Sequence, residues 1–233
     1  MDKLPLLKQY LQTKYPTLKY ATLYGSHVYG TATEHSDLDL IVVIIDNKSI
    51  GDSFADYDSQ IGNIDISLYD EVEFIKQIKQ NDVKPLEAIF VKQQYIIFGN
   101  VLQYKNDFVC YYPNIRHTFG KVARMAWNKG CKKLTKKIDP NEIKRGKKSL
   151  YHSLRVFLFA LNLYNTNKID FEDAYLGELN KLYFEIINEP VNEIIINGKI
   201  KPEYQELFEY WDKKFKQIPN EEQYKQICNK KKT

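Results

Sequence analysis

Residues 20–45, YATLYGSHVYGTATEHSDLDLIVVII, contain the pattern on which the fold assignment rests. The part before Gly25-Ser26 predicts a strand, and Asp37–Ile45 predicts a second strand with a polar start and an apolar end. Asp37 and Asp39 are two residues apart, so a strand projects both carboxylates from one face. Neighbouring carboxylates raise each other's pKa unless a cation lies between them. The stretch therefore predicts a cation site at the start of a buried strand.

A third carboxylate lies on a later strand. Asn63–Tyr69 alternates between polar and apolar residues, with Asp65 on the polar face. If this strand neighbours the first, Asp65 joins Asp37 and Asp39, and three carboxylates can hold two metal ions about 4 Å apart. Hard oxygen ligands favour Mg²⁺, with Mn²⁺ as the alternative. We predict Asp37, Asp39 and Asp65 as catalytic metal ligands, with Asp65 helping to deprotonate an attacking hydroxyl.

Gly25 and Ser26 are predicted to bind nucleotide phosphates. Glycine lets the backbone pass close to phosphate, and Ser26 with the following amides can donate hydrogen bonds to a triphosphate. When either Asp-x-Asp or Gly-Ser occurs alone in a sequence, it usually has a structural role or none. The ordered set of strand, Gly-Ser, Asp-x-Asp and later Asp65 is more specific.

The quoted stretch resembles the nucleotidyltransferase signature of the DNA polymerase β superfamily, a Gly-Ser followed by Asp-x-Asp. This resemblance implies that the three aspartates bind metal and that Gly25-Ser26 contacts the nucleotide. Further along, Lys148, His152 and Arg155 resemble a Lys-x-x-x-His-x-x-Arg helix of the RlaP-type predicted nucleotidyltransferases, which are linked to RNA repair. The resemblance is strong at 20–45 and looser elsewhere, and 165–233 match nothing.

The element pattern predicts an α/β (α+β) fold in two parts. Residues 1–105 read as a nucleotidyltransferase domain with a small, mixed, mostly antiparallel sheet and helices on one face, and 106–233 read as an all-helical domain. The active site is expected between them. Asn47–Ser59 is polar and acidic and is predicted as a loop. A last strand is predicted at Tyr95–Phe98. Helices are predicted at Leu4–Thr13, Asp70–Gln80, Pro85–Lys92, Asn114–Leu134, Pro140–Tyr164, Leu176–Asn188 and Pro202–Lys216.

The charge is unevenly distributed along the chain. Residues 1–105 carry 10 Lys and no Arg against 14 Asp and Glu, whereas 106–233 carry 24 Lys and Arg against 16 Asp and Glu. Residues 116–155 hold 13 of these cations and two acidic residues. An acidic half suits metal ions and a basic half suits phosphates. The alternative explanation is a lysine-rich solvated surface.

Two groups of basic residues are candidate phosphate ligands. Lys148, His152 and Arg155 fall on one helical face, one turn after Lys144, and are predicted to bind the NTP triphosphate or an RNA phosphate. A solvated basic face is the alternative. Arg116, Lys121 and Arg124, with Trp127, are candidates for an RNA-binding platform. The helical spacing also allows Trp127 to lie in the core, and we favour this position over a place in the RNA-binding platform.

Several protein classes are excluded or disfavoured. No apolar run is long enough to span a membrane, and the N-terminal residues do not have the pattern of a signal peptide. Cys110, Cys131 and Cys228 show neither zinc spacing nor a disulfide framework, so free thiols are expected. The cytoplasm is the default compartment for such a chain.

The predicted reaction is transfer of a nucleoside monophosphate from an NTP to an acceptor hydroxyl, with release of pyrophosphate. An RNA end, tRNA included, is the first candidate acceptor, because the basic region can bind several phosphates. A protein or small-molecule hydroxyl is the second, and a non-catalytic nucleotide-binding module is the third hypothesis. The pattern leaves the NTP, the exact acceptor and the oligomeric state open.

Overall fold

The computed structural model describes residues 3–46, 53–136, 139–172 and 177–230. The chain divides into two compact units, Met1–Val109 and Cys110–Thr233. The predicted fold class is confirmed, because the first unit contains a mixed sheet with helices and the second is largely helical. The roles assigned to the two predicted domains, catalysis and RNA binding, stay predictions.

The first unit is built on a five-stranded sheet with the order β3-β4-β2-β1-β5. β2 and β4 run parallel, and the other neighbouring strands run antiparallel. The strands are β1 Leu18–Leu23, β2 Leu38–Ile44, β3 Ser53–Asp58, β4 Gly62–Asp70 and β5 Ile96–Phe98. The helices are α1 Leu4–Lys14, α2 Ser26–Tyr29, α3 Glu71–Lys79, α4 Val83–Phe90 and α5 Leu102–Lys105, with a 3₁₀ turn at Gln93–Tyr95.

Helices cover both faces of this sheet, so the prediction of helices on one face is wrong. On one face, α1 contributes Leu7 and Leu11 to an apolar cluster with the strands. On the other face, Phe74 of α3 packs against Tyr20 and Tyr69, with ring centroids 6.4 Å and 5.4 Å apart. The central strands therefore bury both faces, which explains the continuous apolar run through β2.

The prediction of a loop at Asn47–Ser59 is wrong for Ser53–Asp58, which form a strand. β3 occupies Ser53–Asp58 and pairs antiparallel with β4 along its length, and 47–52 lie outside the described residues. β3 is an edge strand in which polar residues are tolerated, and Phe54 packs on the core. Pairing with β4 thus outweighs the low intrinsic strand preference of Asp-rich sequence.

The second unit is dominated by two long packed helices. Its helices are α6 Tyr112–Lys136, α7 Pro140–Thr166, α8 Glu178–Asn188, α9 Val191–Ile194, α10 Pro202–Phe215 and α11 Glu221–Lys230. A Cβ on Gly130 would meet Leu150, and one on Gly146 would meet Leu134, so α6 and α7 run antiparallel in close contact. Trp127 is 4% exposed and stacks on Phe208, which confirms its predicted place in the core.

The second unit was predicted to be all-helical, but it also contains two short strands. β6 Ile195–Ile196 and β7 Lys199–Ile200 form a two-stranded hairpin. Its turn is Asn197-Gly198, with φ of 51° and 74°. Positive φ at both central residues is the requirement that makes Asn-Gly a strong hairpin signal, and this signal was missed among the surrounding helices.

Two expectations about the whole chain can be compared with the structure. Cys110, Cys131 and Cys228 are free thiols, as predicted. Among the described residues, no helix combines the length and the apolar character that are needed to cross a bilayer.

Candidate active site

The sheet brings Asp39 and Asp65 together. β2 and β4 pair in parallel with Asp39 directly opposite Asp65, so both carboxylates leave the same face of neighbouring strands. Asp37 lies just before β2 and is exposed. The metal-site prediction required the strand of Asp65 to neighbour the strand of Asp39, and this pairing is confirmed.

Gly25 lies directly against the Asp39 carboxylate. Gly25 has a φ of 68°, in the left-handed region, and a Cβ at this position would overlap the carboxylate and lie 2.6 Å from Asp39 Cγ. The backbone amide of Ser26 donates a hydrogen bond to the same carboxylate. Glycine is therefore required here for both backbone conformation and space, and the Gly-Ser turn holds Asp39 in place. Phosphate binding by Gly25 and Ser26 stays a prediction.

The electrostatic environment of Asp39 suits a cation. Burial raises the pKa of Asp39, and the charges of Asp65 and Asp37 raise it further, whereas the Ser26 amide and His27 lower it. The carboxylates of Asp65 and Asp37 therefore disfavour the charged form of Asp39, and a divalent cation among them would reverse this effect. The described residues contain no ready-made group of three or more His, Cys, Asp or Glu side chains at metal-binding positions. The oxygen donors nevertheless fit Mg²⁺ or Mn²⁺ chemically.

A lysine lies beside the two carboxylates. Lys84 of α4 shares a cavity of about 220 Å³ with Asp39 and Asp65. Its Nζ donates a hydrogen bond to Ser67 Oγ at 3.2 Å and lies 5.8 Å from the ring centroid of Tyr24. Ser67 is two residues after Asp65, on the same face of β4. The cavity thus presents carboxylates, a hydroxyl and an ammonium group to one small volume.

Lys84 is a site residue that the sequence analysis missed. A usable signal was present, because Lys84 is the one cation in Val83–Phe90, a helix whose other residues are mostly buried. The same helix carries the buried Glu87, which accepts a hydrogen bond from Tyr29 Oη. Tyr29 belongs to α2, so this bond fixes α4 to the helix that follows Gly25.

A larger cavity of about 620 Å³ lies beside Asp37. Leu4, Leu23 and Leu38 are among its apolar lining residues, and His27 lines it together with Asp37. His27 Nε2 is buried and has no hydrogen-bond partner in the part of the chain that the structure describes. The cavity is within the size range of small-molecule sites.

The predicted phosphate face of α7 changes from exposed to buried along the helix. Lys144 and Lys148 are exposed, His152 is half-buried, and Arg155 is 5% exposed. Arg155 Nη2 lies 2.7 Å from His152 Nδ1, within hydrogen-bond distance. Arg155 also lies 5.8 Å from the ring centroids of Tyr151 and Phe159. Phosphate binding by Lys148, His152 and Arg155 stays a prediction.

Two of the three residues predicted to bind RNA, Arg116 and Arg124, have partners within the protein. Arg116 donates hydrogen bonds to the carbonyls of Lys216 and Ile218, at the end of α10. Arg124 forms an ion pair with Asp212 at 2.7 Å. Lys121 is exposed. Both arginines therefore connect α6 to α10, and RNA binding by the three residues stays a prediction.

Comparison with known proteins gives one sequence match and a set of remote structural ones. Residues 4–113 match the family model described as "Nucleotidyltransferase domain". No curated protein matches the chain. This match supports the nucleotidyltransferase superfamily for the first unit, and the RlaP-type subgroup stays a prediction.

Among solved structures, the chain is similar to a nucleotidyltransferase-like protein from Exiguobacterium sibiricum 255-15. The identity is 14%, the match covers 91% of this chain and 75% of that chain, and the TM-score is 0.36. It is also similar to spectinomycin adenyltransferase AAD(9) from Enterococcus faecialis, whose structure contains ATP and spectinomycin. Here the identity is 13%, the coverage is 92% of this chain and 98% of that chain, and the TM-score is 0.45.

Proposed function

We propose that this chain transfers a nucleoside monophosphate from an NTP to an acceptor hydroxyl and releases pyrophosphate, with RNA as the first candidate acceptor. The observation that carries the proposal is the pairing of Asp39 with Asp65 across β2 and β4, with Gly25 closed against the Asp39 carboxylate. The match of residues 4–113 to the nucleotidyltransferase domain supports the same chemistry.

Asp39 and Asp65, with Asp37, would hold the divalent metal. A bound Mg²⁺ supplies Lewis-acid stabilisation of the charge that develops on the transferred phosphoryl group and on pyrophosphate. Asp65 lines the cavity and is exposed, so its carboxylate can accept the proton of an attacking hydroxyl. The hydrogen bond from the Ser26 amide keeps Asp39 oriented before substrate arrives, so less reorganisation is needed during the reaction.

Lys84 is proposed to bind a phosphate oxygen of the NTP. Its ammonium group is 3.2 Å from the Ser67 hydroxyl and lines the cavity of Asp39 and Asp65, so it can approach an anion bound there. The carboxylates of Asp39 and Asp65 add negative charge beside a bound triphosphate, and a lysine in the same cavity offsets part of it.

Replacing Lys84 by Met is expected to raise the KM for NTP by about 10- to 100-fold, because a hydrogen bond to a charged group contributes about 1.5–3 kcal/mol. Lys84→Arg keeps the charge and should recover part of the loss. Steady-state kinetics with varied NTP measures the effect. The control is Lys79→Met, which removes an exposed lysine that pairs with Asp107 in the same unit. An unchanged KM in Lys84→Met contradicts the proposed role.

A second acceptor class is supported by the cavity of about 620 Å³ beside Asp37. Its apolar residues and the exposed carboxylate of Asp37 suit a small organic molecule that has an apolar body and a hydrogen-bonding group. The acceptor of this second candidate is therefore a small-molecule hydroxyl.

The test is a transfer assay with Mg²⁺ and each of four α-labelled NTPs, using cellular RNA in one arm and a small-molecule extract in the other. The control is the double variant Asp37→Ala/Asp39→Ala. Label on RNA that disappears in the control supports the first candidate, and label on a small molecule supports the second. If no NTP is turned over in either arm, the catalytic proposal is wrong.

A further inference from the structure

A row of four lysines runs along the solvent side of α6. Lys121, Lys129, Lys132 and Lys136 are all exposed. Their spacings of eight, three and four residues keep them within an arc of about 80° at roughly 100° per residue. The row is about 22 Å long at about 1.5 Å per residue. The apolar residues of α6, such as Phe119, Ala123 and Gly130, lie on the opposite side of the helix.

The helix that carries this row has no acidic residue of its own. Tyr112–Lys136 contains seven Lys and Arg and no Asp or Glu. The other three cations of α6 have intramolecular partners, because Arg124 pairs with Asp212, Lys133 pairs with Glu142, and Arg116 binds backbone carbonyls. Within the described ranges, no ion pair involves any of the four lysines of the row.

Three other helices of the chain pair an exposed lysine with an acidic residue. Lys76 pairs with Glu73, Lys181 with Glu185, and Lys225 with Glu221, each within one helical turn. Such pairs stabilise a helix, and like charges three or four residues apart destabilise it. Lys129, Lys132 and Lys136 have this unfavourable spacing. The row therefore keeps a repulsion that an external anion would remove.

We propose that the α6 lysine row is a binding surface for the phosphate backbone of single-stranded RNA. Ammonium groups on flexible stems bind phosphates without reading bases, so a linear row fits a polyanion that runs along the helix. Lysine is depleted in protein–protein interfaces, which disfavours a protein partner. An anionic membrane is disfavoured because Met125 is the one large apolar side chain within the row, and an interfacial helix needs a broad apolar face. The choice of RNA over DNA rests on the proposed function.

The test measures binding of a fluorescein-labelled 20-nucleotide oligo(U) RNA to the full chain, without NTP, over a range of NaCl concentrations. The variant changes Lys121, Lys129, Lys132 and Lys136 to Gln, which has a similar helix propensity. The control changes four other lysines of the second unit, Lys168, Lys181, Lys199 and Lys213, to Gln and so removes the same net charge. Circular dichroism and Tm verify that both variants are folded.

The row variant is expected to bind RNA about tenfold or more weakly at low salt. Its slope of log K against log[NaCl] should be smaller by about 0.7 for each phosphate contact that is lost. The control should stay within about twofold of the unchanged protein. Equal weakening in both variants, or an unchanged row variant, overturns the proposal. Tighter binding to the matching single-stranded DNA overturns the choice of RNA, and row-dependent binding to phosphatidylserine vesicles without RNA binding overturns the choice of partner.

The variant Asp37→Ala/Asp39→Ala separates this inference from the proposed function. It should bind RNA like the unchanged protein and transfer no nucleotide. If RNA binding depends on the row but no NTP is turned over, the surface is supported and the catalytic proposal is wrong. If nucleotide is transferred to RNA equally well by the row variant and its binding is unchanged, the catalytic proposal is supported and the surface is wrong.

Discussion

Replacing Asp39 by Asn is expected to lower the rate of nucleotide transfer by about a thousandfold or more, because several kcal/mol of metal-dependent charge stabilisation are lost. Asparagine keeps the size of the side chain and an oxygen that can accept the Ser26 amide. The change therefore removes the charge that faces Asp65 while it keeps the local hydrogen bond. The loss is expected in the rate, measured as pyrophosphate release at saturating NTP and Mg²⁺.

The same substitution should leave the metal-free protein at least as stable as before. The pKa of Asp39 is raised in the folded state, so its charged form is unfavourable there, and the resulting destabilisation develops as the pH rises above the unfolded-state value. Asn removes this cost. Thermal unfolding in EDTA at pH 7 should give an equal or higher Tm. Glu206→Gln, at an exposed position of α10, is the charge-matched control. Full transfer activity in Asp39→Asn contradicts the assignment.

Replacing Gly25 by Ala is expected to destroy activity and to destabilise the first unit by about 1–3 kcal/mol, the usual cost of a residue forced into a sparsely populated backbone region. Two effects act together at this position. The φ of 68° disfavours any residue with a side chain, and the added Cβ overlaps the Asp39 carboxylate. Either the turn or Asp39 must move, and the relation between Asp39, Asp65 and the Ser26 amide is lost.

Gly198→Ala separates the two effects. Gly198 has a φ of 74°, and a Cβ there meets nothing within 4 Å, so the variant has the backbone strain without the overlap. It should lose stability and keep transfer activity. The comparison uses free energies of unfolding from urea titration together with initial rates. If Gly25→Ala kept the rate of the unchanged protein, close contact between Gly25 and Asp39 would have no role in catalysis.

The sequence by itself determined the side-chain directions within single elements. A strand has a period of two residues, so Asp65 had to lie on the polar side of its own strand. Asp37 lies just before β2, and its shared face with Asp39 stays a prediction. The helix period likewise assigned Trp127 to the core, where it stacks on Phe208. These predictions succeeded because they depend on local geometry, which each residue's neighbours in the chain fix.

Tertiary structure alone decided which elements lie side by side. The parallel pairing of β2 with β4 brings Asp65 opposite Asp39, β3 is a strand because β4 offers it backbone partners, and α4 carries Lys84 to their cavity. Arg116 and Arg124 look like surface cations in sequence, yet α10 provides partners for both. Such contacts join residues far apart in the chain, and their free energy is gained only when whole elements pack, so no local pattern specifies them.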